Sequence, residues 1–160
     1  MDKEDRNPLV SVVIPAYKQE NTIRKNLIIL KTALDMLKYD YEIIVIVDGK
    51  VDNTFENAKK LQSSKIKVVG YEHNHGKGYA IRYGIARSKG DLVCFIDSGT
   101  DLNPKGLSIL LECLSLYDAD IVIGSKRHAD SIVIYPWDRR AISFLSQLFI
   151  RFLFGLNVRD

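Results

Sequence analysis

Residues 41–49, Tyr41-Glu-Ile-Ile-Val-Ile-Val-Asp-Gly49, begin as an almost continuous apolar run and end in an Asp-Gly dipeptide. A strand that is covered on both faces of a parallel sheet has this pattern, because neither face meets water. Asp-Gly is a common turn dipeptide, so the strand is expected to end at Val47. Residues 9–15, LVSVVIP, form a second β-branched run that Pro15 ends. Further strands are predicted over residues 66–71, 91–96 and 119–123.

Segments with helical periodicity separate these strands. Apolar residues recur at helical spacing from Ile23 to Leu34, which predicts a helix over residues 21–37. Similar patterns predict helices over residues 52–61, 76–88 and 104–117. Alternation of strands and helices with short connections indicates an α/β fold, in which helices flank a mainly parallel, Rossmann-like sheet.

Ligands of such sheets bind beyond the carboxyl ends of the strands. The segments that follow the five predicted strands are all polar, and we expect the chemistry of the protein there. They are residues 15–20, 48–52, 71–78, 97–101 and 124–128.

The composition limits the classes of function. A chain of 160 residues with 46% hydrophobic and 27% charged residues is that of one globular domain, preceded by a polar tail over residues 1–8 that we expect to be disordered. A net charge of +3 is too small to indicate nucleic acid as a partner. The chain contains no uninterrupted apolar run of about 20 residues, the length of a membrane-spanning helix. Cys94 and Cys113 stand singly in apolar runs and are expected to be buried free thiols.

Several residues of the polar segments have the chemistry of a ligand site. Asp97 and Asp101 are spaced to hold Mg²⁺ together with phosphate and water, or they are turn residues. Lys77, between two glycines before a helix, suits an anion, or the glycines only make a tight turn. Asp48 can accept hydrogen bonds from a base or ribose, or end its strand in a turn. Tyr17 can stack on a base or pack.

The C-terminal part is basic and aromatic. Lys126-Arg127 and Arg139-Arg140 are pairs that suit phosphate groups, although such pairs are usually solvated. Residues 138–160 are predicted to form a basic, aromatic, amphipathic helix, either in a membrane interface or packed on protein.

Taken together, these segments resemble glycosyltransferase family 2, which has the GT-A fold, and most closely its polyprenyl-phosphate hexosyltransferase branch. The resemblance covers nearly the whole chain from Leu9. It lies in VSVVIPAY at 10–17 with Glu20, DGKVDNT at 48–54, NHGKGYAIRYG at 74–84, FID at 95–97, IVIGSKR at 121–127, and Arg139-Arg140 leading to FGLNVRD at 154–160.

The resemblance implies a role for each matching residue. A nucleotide-sugar-binding domain would span residues 9–137, with Asp97 and Arg127 catalytic. A divalent metal, Mg²⁺ or Mn²⁺, would bind Asp97 and Asp101. The donor would contact Pro15, Ala16, Tyr17, Glu20, Asp48, Lys77, Arg82 and Asp97, and the acceptor phosphate Lys126, Arg127, Arg139 and Arg140.

The sequence departs from the family pattern at three places. Val47-Asp48 stands where the family has two acidic residues, and the DxD metal motif is stretched to Asp97-Ser-Gly-Thr-Asp101. Asp160 resembles the start of the family's DTQ-x-G segment. We therefore expect a GT-A domain truncated at its C-terminus, with acceptor-side residues beyond 160 and little activity of residues 1–160 alone.

The implied reaction is metal-dependent, inverting transfer of a hexose from UDP- or GDP-hexose to polyprenyl phosphate at the cytoplasmic face of a membrane. An acceptor phosphate is already anionic at neutral pH, so no strong general base is needed. Two alternatives stay open: a soluble family 2 transferase acting on a sugar or protein hydroxyl, and a nucleotide-sugar-binding module without catalysis. A nucleotidyltransferase is disfavoured, because Pro15-Ala16-Tyr17 is not a Gly-rich loop.

Overall fold

The computed structural model describes residues 7–98, 104–124 and 151–153. In these residues, four strands and four helices alternate. They are β1 (Leu9–Ala16), α1 (Ile23–Asp35), β2 (Asp40–Asp48), α2 (Thr54–Lys59), β3 (Ile66–Tyr71), α3 (Lys77–Ile85), β4 (Leu92–Phe95) and α4 (Pro104–Leu116).

The four strands form one parallel sheet in the order β3-β2-β1-β4. Strands β1 and β2 occupy the centre, where Val12 pairs with Ile43 on one side and Cys94 on the other. All five residues from Ile43 to Val47 are 0% exposed, as expected of a central strand covered on both faces. The predicted parallel α/β sheet is therefore confirmed.

Helix α3 packs closely on one face of the sheet. Ala80 lies in a buried cluster with Val13, Ile44 and Ile46. Gly84 of the same helix approaches so closely that an added Cβ would overlap Val13 Cγ1 and lie 3.1 Å from Ile46 Cγ1. The alternate residues of β2 point to the opposite face.

Helices α1 and α2 contact each other, and α2 contacts β2 and β3. A Cβ added to Gly70 of β3 would lie 2.9 Å from the Phe55 ring of α2 and 3.3 Å from Val47 Cβ. The buried residues of α1 are Ile23, Leu27, Leu30 and Leu34, which repeat at helical spacing as predicted.

Helix α2 begins two residues later than the sequence predicted. The backbone N–H of Thr54 donates to Asp52 Oδ1 at 3.0 Å, so Asp52 precedes the helix. Burial acts to raise the pKa of Asp52, but hydrogen bonds from Thr54 and Glu20 and the charge of Lys18 outweigh it and lower that pKa.

The predicted fifth strand is wrong. Residues 119–123 lie outside the four-stranded sheet, and Ile121 and Ile123 are 80% and 63% exposed. A β-branched run has strand propensity, but a strand forms only where its backbone pairs with a neighbour.

The sheet and α1 to α3 belong to one compact unit that ends at Ser108, and the described residues from Ile109 to Gly124 belong to a second unit. Of the predicted C-terminal helix, residues 151–153 are helical, and the rest of 138–160 lies outside the described residues. No helix in the described ranges is long and apolar enough to cross a bilayer.

The two cysteines are free thiols as expected, but both are partly exposed, so the expectation that they are buried is wrong. Burial nevertheless raises the pKa of Cys94 to about 11, so its thiol stays protonated at neutral pH.

Gly84→Ala should destabilise the fold, because the new methyl group overlaps Val13 in a close-packed interface. We expect a loss of about 1–3 kcal/mol in the free energy of unfolding, measured by urea titration. Gly78→Ala is the control, since nothing lies within 4 Å of a Cβ there. Equal stability of both variants would contradict the close packing of α3 on the sheet.

Candidate functional site

A cavity of about 480 Å³ lies beyond the carboxyl ends of the strands. Because parallel strands end at the same edge, segments distant in sequence meet there. Its walls are the end of β1, the end of β2, the β3–α3 connection and the residues after β4. They contribute Pro15, Ala16, Tyr17, Gln19, Asp48, Asn74, Gly76, Lys77, Asp97 and Ser98.

Six of the eight predicted donor-site residues line this cavity, namely Pro15, Ala16, Tyr17, Asp48, Lys77 and Asp97. Glu20 and Arg82 do not. The Glu20 carboxylate instead accepts a hydrogen bond from the Asn53 N–H at 3.1 Å, and its carbonyl accepts one from Asn57 Nδ2 at 3.0 Å. The hydrogen bonds of Glu20 thus hold the β1–α1 connection against the start of α2. Arg82 lies on α3, where its side chain is exposed.

The remaining predicted site residues lie outside the described residues. They are Asp101, the second predicted metal ligand, and the basic residues Lys126, Arg127, Arg139 and Arg140. Their roles stay predictions.

Asp48 is 3% exposed, although it lines the cavity. Its Oδ1 accepts hydrogen bonds from Tyr71 Oη at 2.8 Å and from the His75 N–H at 2.8 Å. Its Oδ2 accepts one from Asn74 Nδ2 at 3.0 Å, and the same amide donates to the Asp48 carbonyl at 3.1 Å. A carboxylate offers about four acceptor positions, so one position on Oδ2 is left for a ligand. Asp48 therefore holds the β3–α3 connection, a role that the sequence did not indicate.

Lys77 and Asp97 form the charged part of the cavity. Lys77 Nζ lies 2.5 Å from Asp97 Oδ1, and the two side chains are 55% and 68% exposed. An ion pair this exposed contributes little to stability, so both groups are available to a charged ligand.

Lys77 is also the first residue of α3, after Gly76 with φ 90°. The N–H groups of Lys77 and Gly78 have no acceptor within the described part of the chain, because the first helical bonds are donated by Tyr79 and Ala80 to the Gly76 carbonyl. The start of a helix with free N–H groups and a lysine suits a phosphate group.

A divalent cation fits this site as a partner shared with phosphates. Among residues 7–98, 104–124 and 151–153, no group of three or more His, Cys, Asp or Glu side chains is placed to hold a metal ion without other ligands. Mg²⁺ sites commonly use one or two carboxylates together with substrate phosphates, and Asp97 supplies one exposed carboxylate at the strand end.

Asn26 does not line the cavity but supports its wall, a role that the sequence did not predict. Its side chain reaches from α1 and donates from Nδ2 to the Ser98 carbonyl at 2.5 Å, next to Asp97. Asn26 Oδ1 is buried and has no partner within the described ranges. A polar residue beside buried Leu27 was the only signal in the sequence.

The family model of glycosyl transferase family 2 matches residues 11–158. The chain belongs to glycosyl transferase family 2.

Curated relatives of this family 2 chain include two enzymes named for polyprenyl phosphates. It is 31% identical over 155 residues to undecaprenyl-phosphate 4-deoxy-4-formamido-L-arabinose transferase of Aeromonas hydrophila, covering 95% of this chain and 46% of that protein. It is 30% identical over 172 residues to human dolichyl-phosphate beta-glucosyltransferase, covering 94% and 52%. The chain thus spans about half the length of these relatives.

Solved structures of the same fold also match this family 2 chain. Glucosyl-3-phosphoglycerate synthase of Mycobacterium tuberculosis, in complex with Mn²⁺, UDP-glucose and phosphoglyceric acid, is 25% identical. It matches with a TM-score of 0.67 and covers 96% of this chain and 52% of that chain. S. aureus TarS, 22% identical with a TM-score of 0.63, covers 79% and 38% and shows the shared fold.

Asp48 and Lys77 should differ sharply in their effect on stability. Asp48→Ala removes the acceptor of three hydrogen bonds and leaves their buried donors without a partner. It should lower the free energy of unfolding by about 2 kcal/mol or more. Lys77→Ala breaks only an exposed ion pair and should change it by less than about 1 kcal/mol. Urea unfolding measures both variants. A harmless Asp48→Ala would show that this carboxylate does not hold the β3–α3 connection.

Proposed function

We propose that the chain is the nucleotide-sugar-binding part of a hexosyltransferase that transfers its sugar to a polyprenyl phosphate. The family membership and the two polyprenyl-phosphate relatives support this acceptor class. The observation that carries the donor assignment is the cavity itself. It combines an exposed carboxylate, a lysine at a helix start and a buried Asp48 at one edge of the sheet.

The donor is a nucleoside diphosphate sugar, and its base is proposed to be uracil. Structures of the Mycobacterium tuberculosis synthase contain UDP or UDP-glucose together with Mn²⁺, and the two matching complexes are 30% and 25% identical to this chain. The free acceptor position on Asp48 Oδ2 suits a hydroxyl or N–H of the nucleoside. Tyr17, 40% exposed at the cavity wall, is placed to cover a base.

Lys77 and the start of α3 would hold the diphosphate, and Asp97 would hold a divalent cation beside it. The N–H groups of Lys77 and Gly78 suit one phosphate, and the ammonium group exchanges its contact with Asp97 for a phosphate oxygen. Asp97 is then free to hold the divalent cation, which when bound neutralises charge on the diphosphate leaving group.

Transfer is proposed to be inverting. An oxygen of the acceptor phosphate attacks the anomeric carbon from the face opposite the diphosphate, the new glycosidic bond forms, and the bond to the diphosphate breaks. The attacking oxygen carries no proton at neutral pH, so no protein group has to remove one. The cations assigned from sequence to this acceptor are Lys126, Arg127, Arg139 and Arg140.

We propose the cytoplasmic face of a membrane as the place of reaction, and the chain of a polyprenyl phosphate would anchor this acceptor in the bilayer. Residues 138–160 are proposed as the interfacial contact, since they contain four arginines and four phenylalanines.

A soluble transferase is the second candidate. The observation that favours it is the match, over 96% of this chain, to a synthase whose complex contains phosphoglyceric acid, a water-soluble acid. A hydroxyl acceptor requires a base to take its proton, whereas a lipid phosphate does not. Product formation on polyprenyl phosphate, compared with water-soluble hydroxyl acceptors, separates the two candidates.

A thermal-shift titration tests the donor site. UDP, GDP and their glucose, mannose and N-acetylglucosamine conjugates are added with and without Mn²⁺. A ligand that binds only the folded state raises stability by RT ln(1 + [L]/Kd), about 2.7 kcal/mol at 100 times Kd. We expect the melting temperature to rise with UDP compounds, and to rise further with Mn²⁺.

Lys77→Ala should weaken UDP binding by about tenfold, because a charge-assisted hydrogen bond to phosphate is lost. Lys67→Ala, an exposed lysine on β3, is the matched control and should bind UDP normally. A folded wild-type chain that gains no stability from any of these nucleotides would overturn the donor assignment.

A further inference from the structure

Tyr71 connects the cavity to a cluster of aromatic rings. It is the last residue of β3, and its hydroxyl donates to Asp48 Oδ1 at 2.8 Å. Its ring makes edge contacts with Tyr79 and Tyr83 of α3, both with centroids 5.4 Å away, and a tilted contact with His75 at 5.3 Å. These contacts restrict the ring, so the hydroxyl has little freedom to leave the carboxylate.

The hydroxyl of Tyr71 remains a donor at neutral pH. Burial and the neighbouring Asp48 carboxylate raise the pKa of Tyr71 well above its ordinary value. The proton therefore stays on the phenol oxygen, and the hydrogen bond runs from Tyr71 to Asp48.

The position of Asp48 in turn controls the β3–α3 connection. The His75 N–H and Asn74 Nδ2 are both bound to its carboxylate. Gly49, with φ 93°, approaches the same segment so closely that an added Cβ would lie 3.0 Å from the Asn74 backbone nitrogen. A rotation of the carboxylate would therefore move the segment that contributes Asn74, Gly76 and Lys77 to the cavity.

We propose that Tyr71 is a positioning residue of the site: by occupying Oδ1 of Asp48 it fixes the β3–α3 connection and leaves one acceptor position, on Oδ2, for the bound nucleoside. The part of this proposal that concerns the nucleoside rests on the proposed function. The part that concerns the connection is a property of the protein alone.

The contribution of Tyr71 acts through Asp48 rather than through direct contact with a ligand. Tyr71 is not among the residues that line the cavity. Loss of its hydroxyl leaves the carboxylate rotationally freer, with Oδ1 held only by the His75 N–H. The effect on binding must then disappear when the carboxylate itself is changed.

The test compares Tyr71→Phe with Tyr83→Phe in the whole chain. Each change removes one hydroxyl from the same ring cluster, but the Tyr83 hydroxyl donates no hydrogen bond to any described residue. The first measurement is amide hydrogen exchange at His75 without ligand. The second measurement is the dissociation constant for UDP in the presence of Mn²⁺. It is made on both single variants, on Asp48→Asn, and on the double variant that combines Tyr71→Phe with Asp48→Asn.

Tyr71→Phe should accelerate exchange at His75 and weaken UDP binding, each by about tenfold, as expected for a lost hydrogen bond to a charged group. Tyr83→Phe should change both by less than about twofold, and Tyr71→Phe should have no further effect on UDP binding in the Asp48→Asn background.

Unchanged exchange at His75 would overturn the positioning role, whatever the affinity for UDP. A wild-type chain that does not bind UDP contradicts the proposed function, and the exchange result then decides the positioning role alone. Additive effects in the double variant would also overturn the proposal, because Tyr71 would then act independently of Asp48.

Discussion

The buried carboxylate of Asp48 is the constraint on which the rest of the site depends. A charged group that is 3% exposed is tolerated only where hydrogen bonds replace the lost water. Here the replacement comes from Tyr71, Asn74 and His75, which lie at the end of β3 and in the connection that follows it. One charge at the end of β2 therefore determines where the neighbouring connection runs and where α3 begins.

The apolar centre of the sheet makes that arrangement rigid. Residues Ile43 to Val47 are 0% exposed and pair on both sides, so the end of β2 has little freedom to shift. Helix α3 packs closely on β1 and β2 at Gly84. This contact fixes the position of α3, and with it that of its first residue, Lys77. The cavity thus lies next to the tightly packed ends of the central strands. Its charged residues, Lys77 and Asp97, are exposed enough to rearrange around an anion.

Much of this fold was predictable because its signals are local. Strand β3 has the predicted bounds, and β2 differs by one residue at each end, since continuous apolar runs identify central strands. Residues 119–123 have the same local signal, but pairing is not a local property, and the predicted strand is absent from the sheet. Helix ends were misjudged for a related reason. The bond from the Thr54 N–H to Asp52 moves the start of α2, and side-chain caps depend on the course of the loop.

The candidate site was only partly predictable. The strand-end rule placed Asp48, Lys77 and Asp97 together, because the carboxyl ends of parallel strands share one edge. Asn26 contacts Ser98, which lies 72 positions away in the sequence, and Tyr71 contacts Asp48, which lies 23 positions away. No local sequence pattern indicates contacts over such separations. Glu20 shows the reverse case, since it belongs to a recognisable motif but its carboxylate bonds to the Asn53 N–H.

Paramagnetic broadening by Mn²⁺ would test directly whether the carboxyl ends of the strands form a donor site. The amide signals of an isotope-labelled chain are followed while Mn²⁺ is added in the presence of UDP. We expect the Ser98 and Lys77 amides to broaden first. A second surface cavity of about 580 Å³, lined by residues that include Arg24, Lys25 and Asn57, supplies the comparison. If the strongest broadening occurred at Arg24 or Asn57, or if none occurred near Asp97 while UDP is bound, the donor site would not lie at this edge of the sheet.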